Sequence, residues 1–369
     1  MKVVVLGGYG NFGARICRVL ALDNGIELIV AARDLPRAQA FAAQLPGNAI
    51  AACLDASAAD FAAQLAALDA QLLIHTAGPF QGQCYDVAEI AAQVGMHYVD
   101  LADGRAFVEE FAPALDAAFK AAGRTAYTGA STLPAVSAAV IDKLKARFSE
   151  IETIDICIAP AQRSPRGIAT LAAVLSYCGE SFKAWNNNEW QTFSGWANPS
   201  PVSFAHMPSR LAAVCDVPDL ALFPARYPTA RSVMFRGALE VPLTQRTLAL
   251  MAALRQRRLI PRATLFTTVM HHVGSLFDRL GSELGGMFVR VSGVSLEGRP
   301  LTLEWHLSVG DSHGPEICCM PAIVLARRFA QGETFEAGAA ACVGVLSLDE
   351  FQVEFDRWGV RTELIERTA

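Results

Sequence analysis

Residues 3–21 read VVVLGGYGNFGARICRVLA, and within them Gly8, Gly10 and Gly13 stand at G-x-G-x-x-G spacing. Three glycines at that spacing say little until the residues on either side are read. Residues 3–6 are four apolar residues in a row, the pattern of a buried strand, and GARICRVLA follows as a helix with no proline. In a strand–turn–helix of this kind the first glycine permits the tight turn. The second lets the backbone approach a pyrophosphate, and the third lets the helix pack close to the strand. Backbone amides and the helix dipole then face the anion. Gly7, Gly8, Tyr9, Gly10, Asn11, Phe12 and Gly13 are therefore assigned to the phosphates of a dinucleotide.

The choice between two dinucleotides is written about 20 residues further on. An NAD site carries Asp or Glu at the end of its second strand, where the carboxylate bonds the ribose 2′-hydroxyl and repels a 2′-phosphate. This chain has Ala31, Ala32 and Arg33 there. A guanidinium pairs with a phosphate bidentately, so NADP is the expected cofactor, with Ala32 and Arg33 beside its ribose. Arg37, one turn into the next helix, supplies a second cation, and Asp55, ending the third strand, is placed toward the adenine or caps the helix that follows.

Composition sets the frame around this turn. A chain of 369 residues exceeds what one core usually serves, so two domains are expected. Hydrophobic residues at 52% and charged residues at 18% belong to a core-rich folded protein. The net charge of −5 and the lack of any basic stretch interleaved with aromatics argue against a nucleic-acid partner and for a small-molecule substrate. Nine cysteines without C-x-x-C spacing fit reduced thiols in a cytoplasm, and Met1-Lys2 runs directly into a strand, which leaves no room for a signal peptide. No run of 18 apolar residues is free of charges and breakers, so no spanning helix is expected.

Residues 1 to about 148 alternate short apolar runs with alanine-rich amphipathic stretches. The predicted strands are 3–6, 27–32, 49–54, 72–76, 98–101 and 124–128, and the helices between them are 13–22, 35–45, 58–67, 85–94 and 107–122. That is an α/β, Rossmann-type doubly wound parallel sheet. Beyond residue 150 the period changes to two-fold alternation with hairpin turns, at Asn186-Asn187-Asn188 and at Glu297-Gly298. These predict a second, α+β domain built on a mixed or antiparallel sheet. Two helices, 244–257 and 262–280, are separated by Pro261, and two more cover 322–331 and 348–358. The stretch MAALRQRRLIPRATLF mixes arginines with apolar residues, as a lid, a dimer contact or a membrane-surface helix does. The long hairpin 287–310 would leave an exposed edge, which predicts a homodimer that covers it.

The motifs GGYGNFG at 7–13, AARD at 31–34, HTAGPFQGQ at 75–83, HYVDLADGR at 97–105 and GASTLPAVSAAVID at 129–142 resemble those of the saccharopine dehydrogenase/reductase-like family of NADP-binding oxidoreductases. Fainter likeness continues through RSPRGIAT, RGALE, GSELGGMFVRVSG and CMPAIVLARRFAQG. The resemblance implies a Rossmann domain over 1–128, a substrate and dimerisation domain over 129–315, and a C-terminal segment 316–369 that packs back on the first. It carries over the cofactor but not saccharopine as substrate, because the true saccharopine reductases have a Ser-Tyr element where this chain has LADGR.

In a doubly wound sheet the nicotinamide lies beyond the carboxyl ends of the strands, where the loops 75–85 and 100–105 emerge. Ala77, Gly78, Pro79 and Phe80 are its expected neighbours. Hydride transfer to a carbonyl or imine needs a proton donor, and Asp103, Tyr98 and Ser131 are the candidates, with Asp103 first because shielding raises a carboxyl's pKa toward neutrality. Asp103 before Gly104 also suits a plain turn. Arg166, with Arg163 across Pro165, is the candidate anchor for a substrate carboxylate, or else one of a surface pair. Cys84 reads as a small loop filler. His271, His272, His306 and His313 lack metal-ligand spacing, so no metal is expected. The activity this implies is NADP-dependent hydride transfer to or from a carbonyl, imine or secondary amine of a small carboxylate-bearing molecule. Its rivals are an NADP-binding protein without turnover and a reductase of an activated C=C bond.

Overall fold

The apolar runs of the first 128 residues form six parallel strands: β1 (Lys2–Leu6), β2 (Glu27–Ala32), β3 (Ile50–Cys53), β4 (Leu72–His75), β5 (His97–Asp100) and β6 (Thr125–Thr128). Helices α1 (Gly13–Leu20), α2 (Leu35–Ala42), α3 (Phe61–Ala66), α4 (Asp86–Gln93) and α5 (Arg105–Ala122) make the crossovers. In this computed structural model residues 1–165, 167–260 and 262–368 are described. Val3, Val4 and Val5 have no exposed surface, as expected of a strand covered on both faces, and each contributes about 1.5–3 kcal/mol through burial.

The chain divides into two units, Met1–Val136 with Glu316–Leu346, and Ser137–Pro315 with Ser347–Ala369. The second unit opens with α6 (Ser137–Lys145), β7 (Phe148–Ala159) and α7 (Ile168–Ser176). A separate hairpin follows, β8 (Ser181–Asn186) and β9 (Glu189–Ser194), turned by Asn187 and Asn188 at φ 53° and 63°, which asparagine tolerates better than most residues. Then come β10 (Ser200–Val202), β11 (Arg210–Val214), α8 (Asp219–Arg226), β12 (Ser232–Leu239), α9 (Pro242–Gln256), α10 (Thr267–Leu276), β13 (Gly285–Ser295) and β14 (Pro300–Val309). The Glu297-Gly298 turn joins the last two in antiparallel register.

From α11 (Gly314–Ala330) the chain returns to the first sheet, where β15 (Gly338–Ala341) pairs parallel with β6 and completes seven strands in the order β3-β2-β1-β4-β5-β6-β15. It then leaves again through α12 (Gln352–Arg357) to β16 (Arg361–Thr368), which pairs antiparallel with β14. The second sheet runs β10-β11-β12-β7-β13-β14-β16 and is mixed, with β12 and β7 parallel. Two expectations change here. Residues 347–369 belong to the second unit, because β16 finds its backbone partners on β14 and not on the first sheet. The hairpin 287–310 has no open edge, since β7 flanks one strand and β16 the other, so a homodimer formed to cover that edge loses its structural motive.

Candidate functional site

The order of the first sheet reverses between β1 and β4, and the loops leaving those two strands carry the glycine turn and residues 76–85. The turn is built around the missing side chains. Gly7 has φ +82°, and its carbonyl accepts from the Gly10 amide at 2.8 Å. A Cβ on Gly13 would stand 2.2 Å from that same carbonyl oxygen, and one on Gly8 2.9 Å from Val30. The glycines thus hold α1 against β1 and leave the backbone bare at its amino end, which is the cradle a pyrophosphate requires. Arg15, which the glycine spacing does not single out, locks this turn. It donates to the Asn11 side chain at 2.6 Å and to Glu316 Oε1 at 2.9 Å, joining residues 301 positions apart.

Beyond β2, Arg33 is exposed, and its field adds to Ser57's bonds in lowering the pKa of Asp55. Asp55 Oδ1 accepts from the Ser57 amide and hydroxyl at 3.0 and 2.6 Å, so it shapes the turn after β3. Asp34 caps α2 by accepting from the Arg37 amide at 3.0 Å. The Arg37 guanidinium lies over the Tyr9 ring, 4.8 Å from its centroid, which ties the second cation to the glycine turn. Ala32 is buried.

In the β4 loop Ala77, Gly78 and Pro79 are exposed, whereas Phe80 points inward against His75 and Phe107. Gln83 Nε2 pins the loop by donating to the carbonyls of Ala77 and Pro79 at 3.0 and 2.7 Å. Asp103 follows β5 and meets this loop, where Gln81 Nε2 donates to its Oδ1 at 3.0 Å. Solvent reaches the Asp103 carboxyl, yet protein crowds most of its surroundings. That partial desolvation raises its pKa above the ordinary carboxylate value, against the pull of the Gln81 bond. Ser131 is buried nearby, with Thr132 donating to Cys318 Sγ at 3.2 Å, and burial followed by the Asp103 charge keeps that thiol's pKa high.

Tyr98 is elsewhere. It has no exposed surface, stacks on Phe111, and directs its hydroxyl to His75 Nδ1 at 3.0 Å inside the sheet–helix core. Asp100, two residues on and on the same face of β5, is also fully buried. Its Oδ1 accepts from the amides of Ala102 and Gly129 at 2.9 and 2.8 Å and from the Thr128 hydroxyl at 2.9 Å. Burial pushes its pKa up to about 6 and pushes that of His75 down to about 4. Arg166 lies outside the described residues. Arg163 donates from Nε to the Asp278 carbonyl at 3.1 Å. Cys84 is exposed. Among the described residues no group of three or more His, Cys, Asp or Glu is arranged to hold a metal.

The Asp100 network gives a pH test. The folded state binds the Asp100 proton more tightly than the unfolded state does, so its contribution is complete below the ordinary value of 3.8 and is lost as pH rises through about 6. The difference is worth about 3 kcal/mol at ~1.4 kcal/mol per pH unit. Asp100→Asn keeps the Oδ1 acceptor and removes the titration. Urea unfolding from pH 4 to pH 7 should show the wild type losing stability relative to this variant by about that amount. Parallel pH curves would refute the assignment.

A glycine turn at the reversal point of an all-parallel sheet, with cations beyond the second strand, defines a dinucleotide-binding protein of Rossmann type. Residues 3–127 match the family described as Saccharopine dehydrogenase NADP binding domain. The chain's fold is similar to that of apo saccharopine dehydrogenase (L-Glu forming) from Saccharomyces cerevisiae, with a TM-score of 0.66 at 15% identity and 100% of both chains covered. It also resembles homospermidine synthase from Legionella pneumophila, solved in complex with NAD, at TM-score 0.63 and 9% identity over 100% of this chain and 91% of that one. An engineered D-amino acid dehydrogenase bound to NADP+ has a TM-score of 0.51 at 16% identity, covering 96% and 98% of the two chains. No curated protein sequence matches.

Proposed function

We propose that this protein is an NADP-dependent oxidoreductase acting on a carbonyl, imine or secondary amine of a small carboxylate-bearing molecule. The observation that carries this reading is the Asp103 carboxyl, accessible and raised in pKa, held by Gln81 in a loop at the same sheet edge as the glycine turn. When bound, NADPH supplies a hydride to an electrophilic carbon. The chain's own part is to hold the phosphates on residues 7–13, to engage the 2′-phosphate with Arg33 and Arg37, and to keep a proton on Asp103 for the heteroatom that gains charge. The Gln81 amide fixes which Asp103 oxygen is bonded and so leaves the other as the donor. Consumption of NADPH, followed by absorbance across 2-keto acids with and without added amines, tests the reading. Tight NADPH binding with no turnover of any member would favour a binding protein instead.

The cofactor preference has its own test. NADPH should bind more tightly than NADH by at least about tenfold, because ~1.4 kcal/mol is a modest demand on a guanidinium–phosphate pair. Arg33→Ala should remove that preference and leave NADH affinity unchanged, as measured by calorimetric titration of both. Equal affinities in the wild type would overturn the NADP assignment.

A further inference from the structure

Among the described residues of segment 242–282, several apolar side chains face water. A helix packed on a protein core turns its leucines inward. Here Val269 and Leu276, seven residues apart on one side of α10, are 60% and 74% exposed, and Leu265 and Leu280 on the short 3-10 turns that flank α10 are 70% and 71% exposed. On α9, Leu243 and Leu250 repeat the seven-residue spacing at 56% and 60%. Single exposed apolar residues are ordinary, but these five leucines and one valine within 40 residues mark an interaction surface.

Charge selects the partner. The same segment contains six arginines and one carboxylate, Asp278, in a chain whose net charge is −5. Arg246, Arg257, Arg258, Arg262 and Arg279 are exposed among the leucines. A second copy docked through this face about a two-fold axis would set one arginine-rich face against another, and like charges repel. A flat surface that is anionic outside and apolar just beneath satisfies both features, because leucines enter the acyl boundary while arginine stems lie along it with their heads at the phosphates. No helix among the described residues is long and apolar enough to cross a membrane, so insertion would be confined to one face of the segment.

We infer that the 242–282 face docks the protein on an anionic phospholipid bilayer. This does not depend on the NADP reading, and its test uses no cofactor. The full chain is mixed with vesicles of phosphatidylcholine alone or of phosphatidylcholine with phosphatidylglycerol, and bound protein is measured by flotation. Binding should be at least about tenfold tighter to the anionic vesicles and should weaken in about 0.5 M salt, where surface charge is screened. Val269→Ser with Leu276→Ser, and separately Arg257→Glu with Arg258→Glu, should each reduce binding by about tenfold or more, with the thermal midpoint of the protein unchanged. Three results would overturn the inference: no flotation of folded wild-type protein, flotation that both variants leave intact, or light scattering that shows an oligomer which Leu276→Glu dissociates. The last would make the face a contact between copies.

Discussion

Gly13→Ala is expected to cost about 3 kcal/mol of stability and to abolish measurable NADPH binding. The added Cβ would lie 2.2 Å from the Gly7 carbonyl oxygen and 2.8 Å from Thr76 Oγ1. Neither neighbour can give way. The carbonyl belongs to a turn fixed by the Gly10 amide, and the threonine hydroxyl is engaged with the Leu6 carbonyl at 2.8 Å. Helix α1 must therefore move off β1, taking with it the amides that face the phosphates. Gly10→Ala is the informative contrast. Its Cβ would meet only the Gly7 peptide, at 3.0 Å, in an exposed position. That variant should keep its melting temperature and lose NADPH affinity by about tenfold or more, since the close backbone approach is what it removes. Thermal unfolding without cofactor and NADPH titration separate the two. Wild-type NADPH affinity in both variants would remove the glycine turn from the cofactor site.

The second large effect concerns turnover. Asp103→Asn should lower kcat by about 10²–10⁴, the range that a positioned proton donor contributes, and leave NADPH affinity as it is. Asparagine retains an oxygen for the Gln81 amide, so the loop between β4 and β5 keeps its bond while the transferable proton is gone. The direction of the pKa shift fixes the pH profile. Crowding favours the protonated carboxyl, so carbonyl or imine reduction should fall as pH rises through a value above the ordinary carboxylate range. That limb should vanish in Asp103→Asn. A variant with full activity and an unchanged profile would transfer the proton-donor role to another group.

Tyr98 and Asp103 illustrate where a sequence stops being informative about a site. Both flank the end of β5, and both have hydroxyl or carboxyl chemistry suited to proton transfer. Within a strand, alternation assigns each side chain to a face, and Tyr98 and Asp100 share the face covered by α5, where Phe111 stacks on the tyrosine ring. Past the strand that rule lapses, and the loop's path decides where Asp103 points. Asp100 carries no distinguishing signal in the sequence: an aspartate at a strand end is common, and only the convergence of Ala102, Thr128 and Gly129 on one oxygen sets it apart.

What the sequence determined by itself was local. The glycine turn, the alternation of apolar runs with helices and the two hairpins depend on residues within one turn or one strand of each other, and backbone sterics and hydrophobic period act over that range. The tertiary structure decided what lies far apart along the chain. It brought Glu316 to Arg15, seated Arg37 over Tyr9, and sent β15 to the first sheet but β16 to the second. Strands 338–341 and 361–368 are both short segments, and neither names its partner. A strand's backbone donors and acceptors are the same in every sequence, so its place is set by which sheet edge the folded chain brings within reach.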